Sequence, residues 1–213
     1  MAFPSVDSSS VLSSFDDLIS PLPAAVQYRL RQGQAVITPT GRRFVTRILV
    51  AATLDRVWET LTDYNHFSRF LPTVVSSRVL KSESVGEAGS QHRHIVEQID
   101  SRTILLAPVR TRVCTENIEI PKKRINFQLV EGDMKTFQGH WQLYAVETVE
   151  RPGIEQTLLL YSTEVDAGSV FFEGIVHGLV MDSLKANVTA MRDEAERRSR
   201  KISENHDSLD HSI

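Results

Sequence analysis

The feature that most constrains the fold is a helical pattern near the C-terminus that is too long for a small domain to cover. It predicts a helix from Ser169 to about Lys201, which would be about 50 Å long at about 1.5 Å per residue. Its apolar residues fall on two arcs displaced by about 100°. The first arc holds Phe172, Ile175, Val176 and Leu179, and the second holds Leu184, Val188, Met191 and Ala195. We therefore expect the helix to cross a curved sheet, with apolar surface between them that can hold a molecule other than protein.

The rest of the chain reads as strands. A strand around Phe44–Val50 is followed by a helix from Leu54 to Thr62 and by one more helical turn at residues 66–71, which Pro72 stops. Residues 26–38 could add a strand or two. Six strand-like runs then follow with short turns between them, at residues 74–82, 90–100, 103–116, 124–131, 137–148 and 154–166. Short turns join antiparallel neighbours, so the pattern predicts an α+β fold with a meander of about seven strands.

Alternation within the runs identifies the interior face of the sheet. The residues expected to face inward are Ile125, Phe127 and Leu129 on one strand, and Phe137, Gly139, Trp141 and Leu143 on the next. A glycine inside a strand is typical of a bend or bulge, so Gly139 is expected to curve the sheet around the helix.

The length and the N-terminal composition define the expected domain limits. The 213 residues suit one domain with tails: a flexible leader at residues 1–25, a domain at 26–201 and a disordered tail at 202–213. Seven of the first twenty residues are serine, and Pro21 and Pro23 follow. The apolar residues Val11, Leu12, Phe15, Leu18 and Ile19 leave an ordered arm as the alternative. No secretory, transit or membrane-spanning pattern is present, so a cytoplasmic location is expected.

Charge and cysteine content exclude several classes of function. A net charge of -3 provides no basic footprint for a nucleic-acid partner. Cys114 is the only cysteine and cannot form an internal disulfide. His92 and His94 share a strand face but lack a third ligand with recognisable spacing, so we expect a solvated face and no metal site. No cofactor-binding pattern is found.

No catalytic signature is present either. The chain has no Gly-rich phosphate loop, nucleophile elbow or paired-carboxylate pattern. Asp63 and His66 have the chemistry of an acid/base pair, but aspartate before a turn is a common helix-end residue. Arg110 and Arg112 share one strand face, expected to be the outer one, where we expect them to pair with cross-strand acids such as Glu97; binding of an anionic partner is the alternative. We therefore assign no catalytic residue.

Three sequence segments carry a resemblance to a known family. They are VAATLDRVW, DYNHFSRFLPTVVSSRVL and VEGDMKTFQGHWQLYAV. With the order of elements, they resemble the START-like (SRPBCC) helix-grip superfamily, in its polyketide cyclase/dehydrase and lipid transport branch, which includes coenzyme Q-binding START proteins. The similarity covers about residues 44–198. The shared residues are packing and turn residues, so they indicate the fold better than the ligand.

The resemblance implies an apolar tunnel between the long helix and the sheet, holding a lipid, quinone or polyketide-like molecule. Carried over by position, the roof would supply Phe67, Phe70 and Leu71, the sheet Phe127, Trp141 and Tyr161, and the helix Phe172, Val176 and Leu179. Glu173 and His177, four residues apart on the helix, are the candidate polar contacts for a ligand head group. The alternative for each residue is an ordinary core position, or for the polar pair a local helix contact.

Three functions stay open from the sequence. The first is a non-catalytic carrier or chaperone of a hydrophobic molecule, with transient membrane contact and a protein partner both compatible. The second is a cyclase or dehydratase acting on a polyketide-like substrate, which needs an ionisable group with a perturbed pKa in the tunnel besides Glu173 and His177. The third is a protein- or ribosome-interaction module whose interior is filled by its own side chains.

Overall fold

One β-sheet, with strands of unequal length, dominates the fold. The computed structural model describes residues 12–104, 107–168 and 173–210. The strands are β1 (Ser13–Ser14), β2 (Val36–Thr40), β3 (Arg43–Val50), β4 (Val74–Val85), β5 (Gln91–Ile104), β6 (Ala107–Ile120), β7 (Arg124–Gly132), β8 (Thr136–Thr148) and β9 (Arg151–Asp166). The helices are α1 (Phe15–Ile19), α2 (Ala24–Arg31), α3 (Leu54–Leu61) and α4 (Glu173–Asp210), with 3-10 helices at Tyr64–Arg69 and Glu87–Gly89.

The sheet is the predicted antiparallel meander. Its strand order is β2-β3-β9-β8-β7-β6-β5-β4, and β1 adds a parallel pairing to β8 at Val146 and Glu147. The predicted α+β helix-grip architecture is confirmed. The strand count exceeds the predicted seven because β1 and β2 join the sheet within the described ranges. Of the residues predicted to form a strand or two at 26–38, the first part is helical and belongs to α2.

Residues in β7 and β8 alternate as their pattern predicts. Ile125 lies opposite Trp141, and Phe127 lies opposite Gly139. Pairing on both sides of Gly139 continues without a register shift, so no bulge forms there. Close packing explains instead why this residue is glycine: a Cβ atom at this position would lie 2.0 Å from the carbonyl oxygen of Ser162. Gly139 therefore permits a close approach of two backbones.

The terminal helix buries the predicted arc. Leu184, Val188, Met191 and Ala195 are all buried against the inner face of the sheet and α3. The helix continues to Asp210, past its predicted end and through residues predicted to form a disordered tail. No helix among the described residues is long and apolar enough to cross a membrane.

The predicted flexible leader is wrong for residues 12–25. Phe15 and Ile19 of α1 are 1% and 0% exposed, and Leu30 of α2 is fully buried beside them. They pack with Val36, Val146 and Leu158 into a second apolar cluster, separate from the one under α4. Leu159, the next residue along β9, belongs to the first cluster. Since neighbouring strand residues point to opposite faces, the N-terminal arm covers the outer face of the sheet.

Local contacts explain why this serine-rich segment is ordered. The Ser14 hydroxyl caps α1 by accepting a hydrogen bond from the Asp17 backbone N–H at 3.3 Å. Asp16 accepts a hydrogen bond from Arg31 of α2 at 2.6 Å, which ties the two helices together. The segment gains most from apolar burial, which composition alone does not reveal.

Candidate ligand-binding site

A cavity lies between α4 and the inner face of the sheet. Its volume is about 230 Å³, whereas one water molecule requires only about 10–15 Å³. The described helix and sheet therefore do not close on each other. The apolar side chains that line the cavity are Leu61, Phe67, Leu71, Val74, Val109, Val113, Ile125, Phe127, Met134, Phe137, Trp141, Val165, Ala167, Leu179, Val180, Leu184 and Met191.

Aromatic rings form the sheet side of the cavity. Trp141 and Tyr161 lie on adjacent strands and stack with ring centroids 3.9 Å apart. Phe127 packs against Tyr161 at 5.7 Å and against Phe137 at 5.1 Å. Such a wall offers broad apolar contact, together with one buried hydroxyl on Tyr161. Burial raises the pKa of this phenol above its ordinary value, so the hydroxyl stays protonated.

The 3-10 helix at Tyr64–Arg69 and the residues after it cover part of the cavity. Tyr64, Phe67 and Leu71 are buried and line it. Phe70 does not, because its ring lies in a neighbouring charged cleft where the Arg198 guanidinium sits 5.6 Å from its centroid. The sequence predicts that Phe67, Phe70 and Leu71 all lie at the entrance of the cavity. Phe70 does not line the cavity, which corrects that prediction.

One polar cluster interrupts the apolar lining. The Thr73 hydroxyl donates a hydrogen bond to Asp100 at 2.6 Å and accepts one from the Asn187 amide of α4 at 3.0 Å. Arg102, two residues along β5 on the same strand face, donates to the backbone carbonyl of Leu179 at 2.9 Å. Of these, Asp100, Arg102 and Asn187 line the cavity. Through Thr73, the cluster joins β5, the segment that precedes β4, and α4.

Burial perturbs both charged groups of this cluster. It raises the pKa of Asp100, although the Thr73 hydrogen bond and the charge of Arg102 oppose the shift. It lowers the pKa of Arg102, while Asp100 opposes that shift. Each group thus relies on the other to remain charged. A polar ligand group placed between them would meet both a carboxyl and a guanidinium.

A second polar group lies further along the cavity, under the 3-10 helix. The Tyr64 hydroxyl donates a hydrogen bond to Glu119 at 2.8 Å, and both side chains are buried. Burial, followed by the charge of Glu119, raises the pKa of Tyr64 well above its ordinary value. Tyr64 and Asn117 line the cavity, while His94 lies behind them, 3.4 Å from Glu119.

Some of the predicted site residues lie on the cavity wall, and others lie outside the part of the chain that the structure describes. Phe67, Leu71, Phe127, Trp141, Tyr161 and Leu179 are brought together on the cavity wall. Phe172 lies outside the described residues, and so do the side chains of Glu173, Val176 and His177. That the six wall residues contact a ligand stays a prediction.

Sequence reasoning missed the polar side chains of the cavity. The pattern predicts a turn at residues 100–102, between two strand-like runs, but β5 continues through Asp100 and Arg102 to Ile104. A signal was present: Val96, Gln98, Asp100 and Arg102 follow period two, which places them on one strand face. Asn187 on α4 offered no comparable signal, because its role depends on Thr73, which is distant in sequence.

The other polar candidates lie away from the cavity. Asp63 contacts His66 at 2.5 Å and Arg198 at 2.7 Å in the charged cleft next to Phe70. Although burial opposes it, hydrogen bonds from Arg198 and His66 hold the pKa of Asp63 below its ordinary value. That carboxylate is an ion-pair partner and does not face the cavity lining.

The strand histidines and arginines are engaged in local contacts. His94 is not on a solvated face as predicted, because it lies between Ser82 and Glu119 with a side chain only 20% exposed. Across the described ranges, no three potential metal ligands gather in one place. Arg112 pairs with Glu97 at 2.8 Å, which confirms the predicted cross-strand contact.

Comparisons with known proteins agree with this architecture. A family described as "Polyketide cyclase / dehydrase and lipid transport" matches residues 50–192. The fold is similar to the Zhui aromatase/cyclase from Streptomyces sp. R1128, with a TM-score of 0.58, 18% identity, and coverage of 74% of this chain and 94% of that one. A comparison with curated protein sequences gave no match.

Two further crystal structures have a similar fold. A START superfamily protein from Mycobacterium smegmatis has a TM-score of 0.53 at 17% identity, covering 76% of this chain and 99% of that chain. A STAR-related lipid transfer protein from Xanthomonas axonopodis has a TM-score of 0.54 at 14% identity, covering 76% of this chain and 92% of that chain. At these identities the likeness concerns the fold.

Proposed function

Because the chain belongs to the polyketide cyclase/dehydrase and lipid transport family, we propose that it binds a hydrophobic small molecule in the cavity between α4 and the sheet. The protein would act as a carrier or chaperone of that molecule. The observation that carries the proposal is the cavity itself, about 230 Å³ of space with a predominantly apolar lining. A lipid, a quinone or a polyketide-like compound has the required chemistry.

Apolar burial supplies enough free energy for binding. Each buried CH₂ group contributes about 0.8 kcal/mol, so a ligand with about ten such carbons would gain about 8 kcal/mol before ordering costs. The aromatic wall of Phe127, Trp141 and Tyr161 favours flat or unsaturated groups, because rings stack on such surfaces. Affinity would therefore come from the wall, and orientation from the few polar groups in it.

The polar cluster would hold the ligand's polar end. Asp100 and Arg102 present an acceptor and a donor side by side, so they suit a carbonyl, hydroxyl or carboxyl group. The paired arrangement favours a head group that exchanges hydrogen bonds over a bulky, strongly charged one. Binding of such a group would also relieve the cost of burying the two charged side chains.

Catalysis on a polyketide-like substrate is the second candidate, and Asp100 is the observation that favours it. A carboxyl group with a raised pKa can hold a proton closer to neutral pH, which a general acid in dehydration requires. Asp100→Asn separates the two functions, since it keeps the hydrogen-bond acceptor for Thr73 and removes the titrating proton. A carrier variant would still bind its ligand, whereas an enzyme variant would bind substrate and lose turnover.

An interaction module with a filled core is the least supported of the three functions, because the described interior leaves space. A cytoplasmic location, transient membrane contact and a protein partner remain predictions. Binding of coenzyme Q, which the sequence resemblance implies, also remains a prediction.

The proposal is tested by blocking the cavity and measuring uptake of an apolar fluorescent probe such as anilinonaphthalene sulfonate. Leu179→Trp places a large side chain on the wall and should reduce probe uptake at least tenfold. We expect it to cost about 1–3 kcal/mol of stability, because it fills space and does not empty it. Lys185→Trp on the same helix is the control: Lys185 is exposed and outside the lining. If both variants and the wild type took up the probe equally, the cavity would not be the binding site.

A further inference from the structure

We propose that the charged cleft next to Phe70 binds a small compound through an oxyanion, that is, a phosphate or carboxylate group, which Arg69, Arg197 and Arg198 hold. The cleft is a second site, separate from the apolar cavity and opposite to it in chemistry. The proposal does not require a ligand in the cavity. The residues that line the cleft are Asp63, His66, Arg69, Phe70, Glu194, Arg197 and Arg198.

The cleft has the size of a small-molecule site. Its volume is about 310 Å³, and small-molecule sites in proteins begin at about 300 Å³. One wall is the 3-10 helix at Tyr64–Arg69, with Asp63 and Phe70 at its two ends. The other wall is α4. A space of this size between two helical elements fits a small compound and not a macromolecule.

Every oxygen of the two carboxylates in the cleft already has a hydrogen-bond partner. Asp63 contacts His66 through Oδ1 at 2.5 Å, and its Oδ2 accepts a hydrogen bond from Arg198 at 2.7 Å. Glu194 accepts hydrogen bonds from Arg197 at both oxygens, at 2.6 and 2.7 Å. The bond from Arg197 holds the pKa of Glu194 below its ordinary value, so this carboxylate stays charged. The carboxylates are thus engaged inside the protein.

Hydrogen-bond donors remain unused in the same cleft. Among the residues that the structure describes, none pairs with the Arg69 side chain. Arg197 and Arg198 each use Nε and Nη2 for their carboxylate partners, which leaves Nη1 of each for another acceptor. Three arginines and two carboxylates line the cleft, so positive charge is in excess. Guanidinium groups with free N–H bonds recognise phosphate and carboxylate oxygens in pairs.

The three arginines would contribute in different ways. Arg197 and Arg198 are oriented by their ion pairs, and the Arg198 side chain is only 25% exposed. Arg69 is exposed, and it can turn toward a ligand without breaking a contact to another described residue. Donors that are oriented before binding reduce the entropy cost of holding an anion. The half-buried Phe70 ring offers apolar contact to the part of the compound that carries the oxyanion.

The test titrates the protein with inorganic phosphate and follows the Nε–H signals of the arginine side chains by nuclear magnetic resonance. Sodium chloride keeps the ionic strength constant, because salt screens exposed charges. We expect saturable shifts of a few arginine signals in the wild type. Arg69→Gln should weaken phosphate binding about tenfold or more, as expected for the loss of charged hydrogen bonds.

Arg110→Gln is the matched control, because Arg110 is exposed on β6 and lies outside the cleft lining. It removes the same charge from the protein and should leave the affinity for phosphate unchanged. Arg69→Lys keeps the charge but loses the paired N–H groups, so it should bind phosphate with intermediate affinity. Thermal unfolding without phosphate checks that each variant is folded.

A second measurement identifies the source of the oxyanion. Co-sedimentation with vesicles of phosphatidylcholine and phosphatidic acid that depends on Arg69 would indicate a lipid head group. Phosphate binding without such co-sedimentation would indicate a soluble compound. Both results support the site.

The outcomes keep the cleft and the cavity apart. Saturable phosphate binding that Arg69→Gln weakens and Arg110→Gln does not weaken supports the inference. No saturable binding to the wild type, or an equal loss in both variants, would overturn it. Either result leaves the proposed function standing, because uptake of the apolar probe tests the cavity separately.

Discussion

The N-terminal arm is expected to be an integral part of the folded domain, and Phe15→Ala tests this most sharply. Phe15 is 1% exposed and packs with Ile19, Leu30 and Val146 on the outer face of the sheet. Truncating a buried phenylalanine costs about 3–5 kcal/mol, from lost transfer free energy and from the cavity left behind. For a protein of this size, each kcal/mol lowers Tm by about 2–4 °C, so we expect a loss of about 6–20 °C.

Tyr28→Ala is the matched control on the same arm. Tyr28 is 65% exposed, and surface substitutions of this kind stay within about 0.5 kcal/mol. Thermal unfolding followed by circular dichroism, with urea unfolding for the free energy, measures both variants. The reasoning is refuted if Phe15→Ala unfolds no more easily than Tyr28→Ala. Probe uptake below the transition should be the same for both, because the arm covers the face opposite the cavity.

Two further predictions concern single residues. Burial raises the pKa of Asp100, so the folded state binds this proton more tightly than the unfolded state, and the stability contribution of Asp100 falls as pH rises from the ordinary aspartate value through the raised one. Asp100→Asn cannot titrate; urea unfolding from acid to neutral pH should therefore show the variant gaining stability relative to the wild type, and a constant difference would contradict this. Gly139→Ala should destabilise the sheet by about 1–3 kcal/mol, because the new Cβ would lie 2.0 Å from the Ser162 carbonyl oxygen. Gly178→Ala, in α4 with no atom within 4 Å of the new Cβ, should instead stabilise by about 0.5–1 kcal/mol; equal effects of the two substitutions in chemical denaturation would show that the contact at Gly139 is relaxed at no cost.

Much of the fold could be predicted because its signals are local. The alternation of Ile125 and Phe127 with polar neighbours gives the inner face of β7, and short turns require antiparallel neighbours. The arc of Leu184, Val188 and Met191 likewise gives the buried side of α4. These patterns depend on period alone, and the structure confirms them.

The N-terminal arm and the polar part of the cavity could not be predicted in the same way. Phe15 and Ile19 gain their stability from strands more than a hundred residues away, whereas the local composition of serine and proline favours disorder. The partners of Asp100 are Thr73 and, through it, Asn187 on α4. Such contacts form only when the chain has folded, so no residue spacing in the sequence predicts them.

The predicted aromatic and apolar wall depends on both kinds of information. Phe127, Trp141 and Tyr161 fall on the inner face by alternation, but only the folded chain distinguishes a cavity wall from a filled core. Phe70 illustrates the difference, because an apolar residue next to two wall residues turns toward Arg198. Sequence periodicity identifies the face, and packing decides which side chains border space.

The central claim is that the space under α4 holds a hydrophobic molecule, and native mass spectrometry tests it most directly. Protein purified without detergent should carry an additional mass that organic extraction releases as a defined hydrophobic compound, and Leu179→Trp should carry none. Wild-type protein that has no bound mass, and that also takes up neither apolar fluorophores nor long-chain alcohols, would contradict the account.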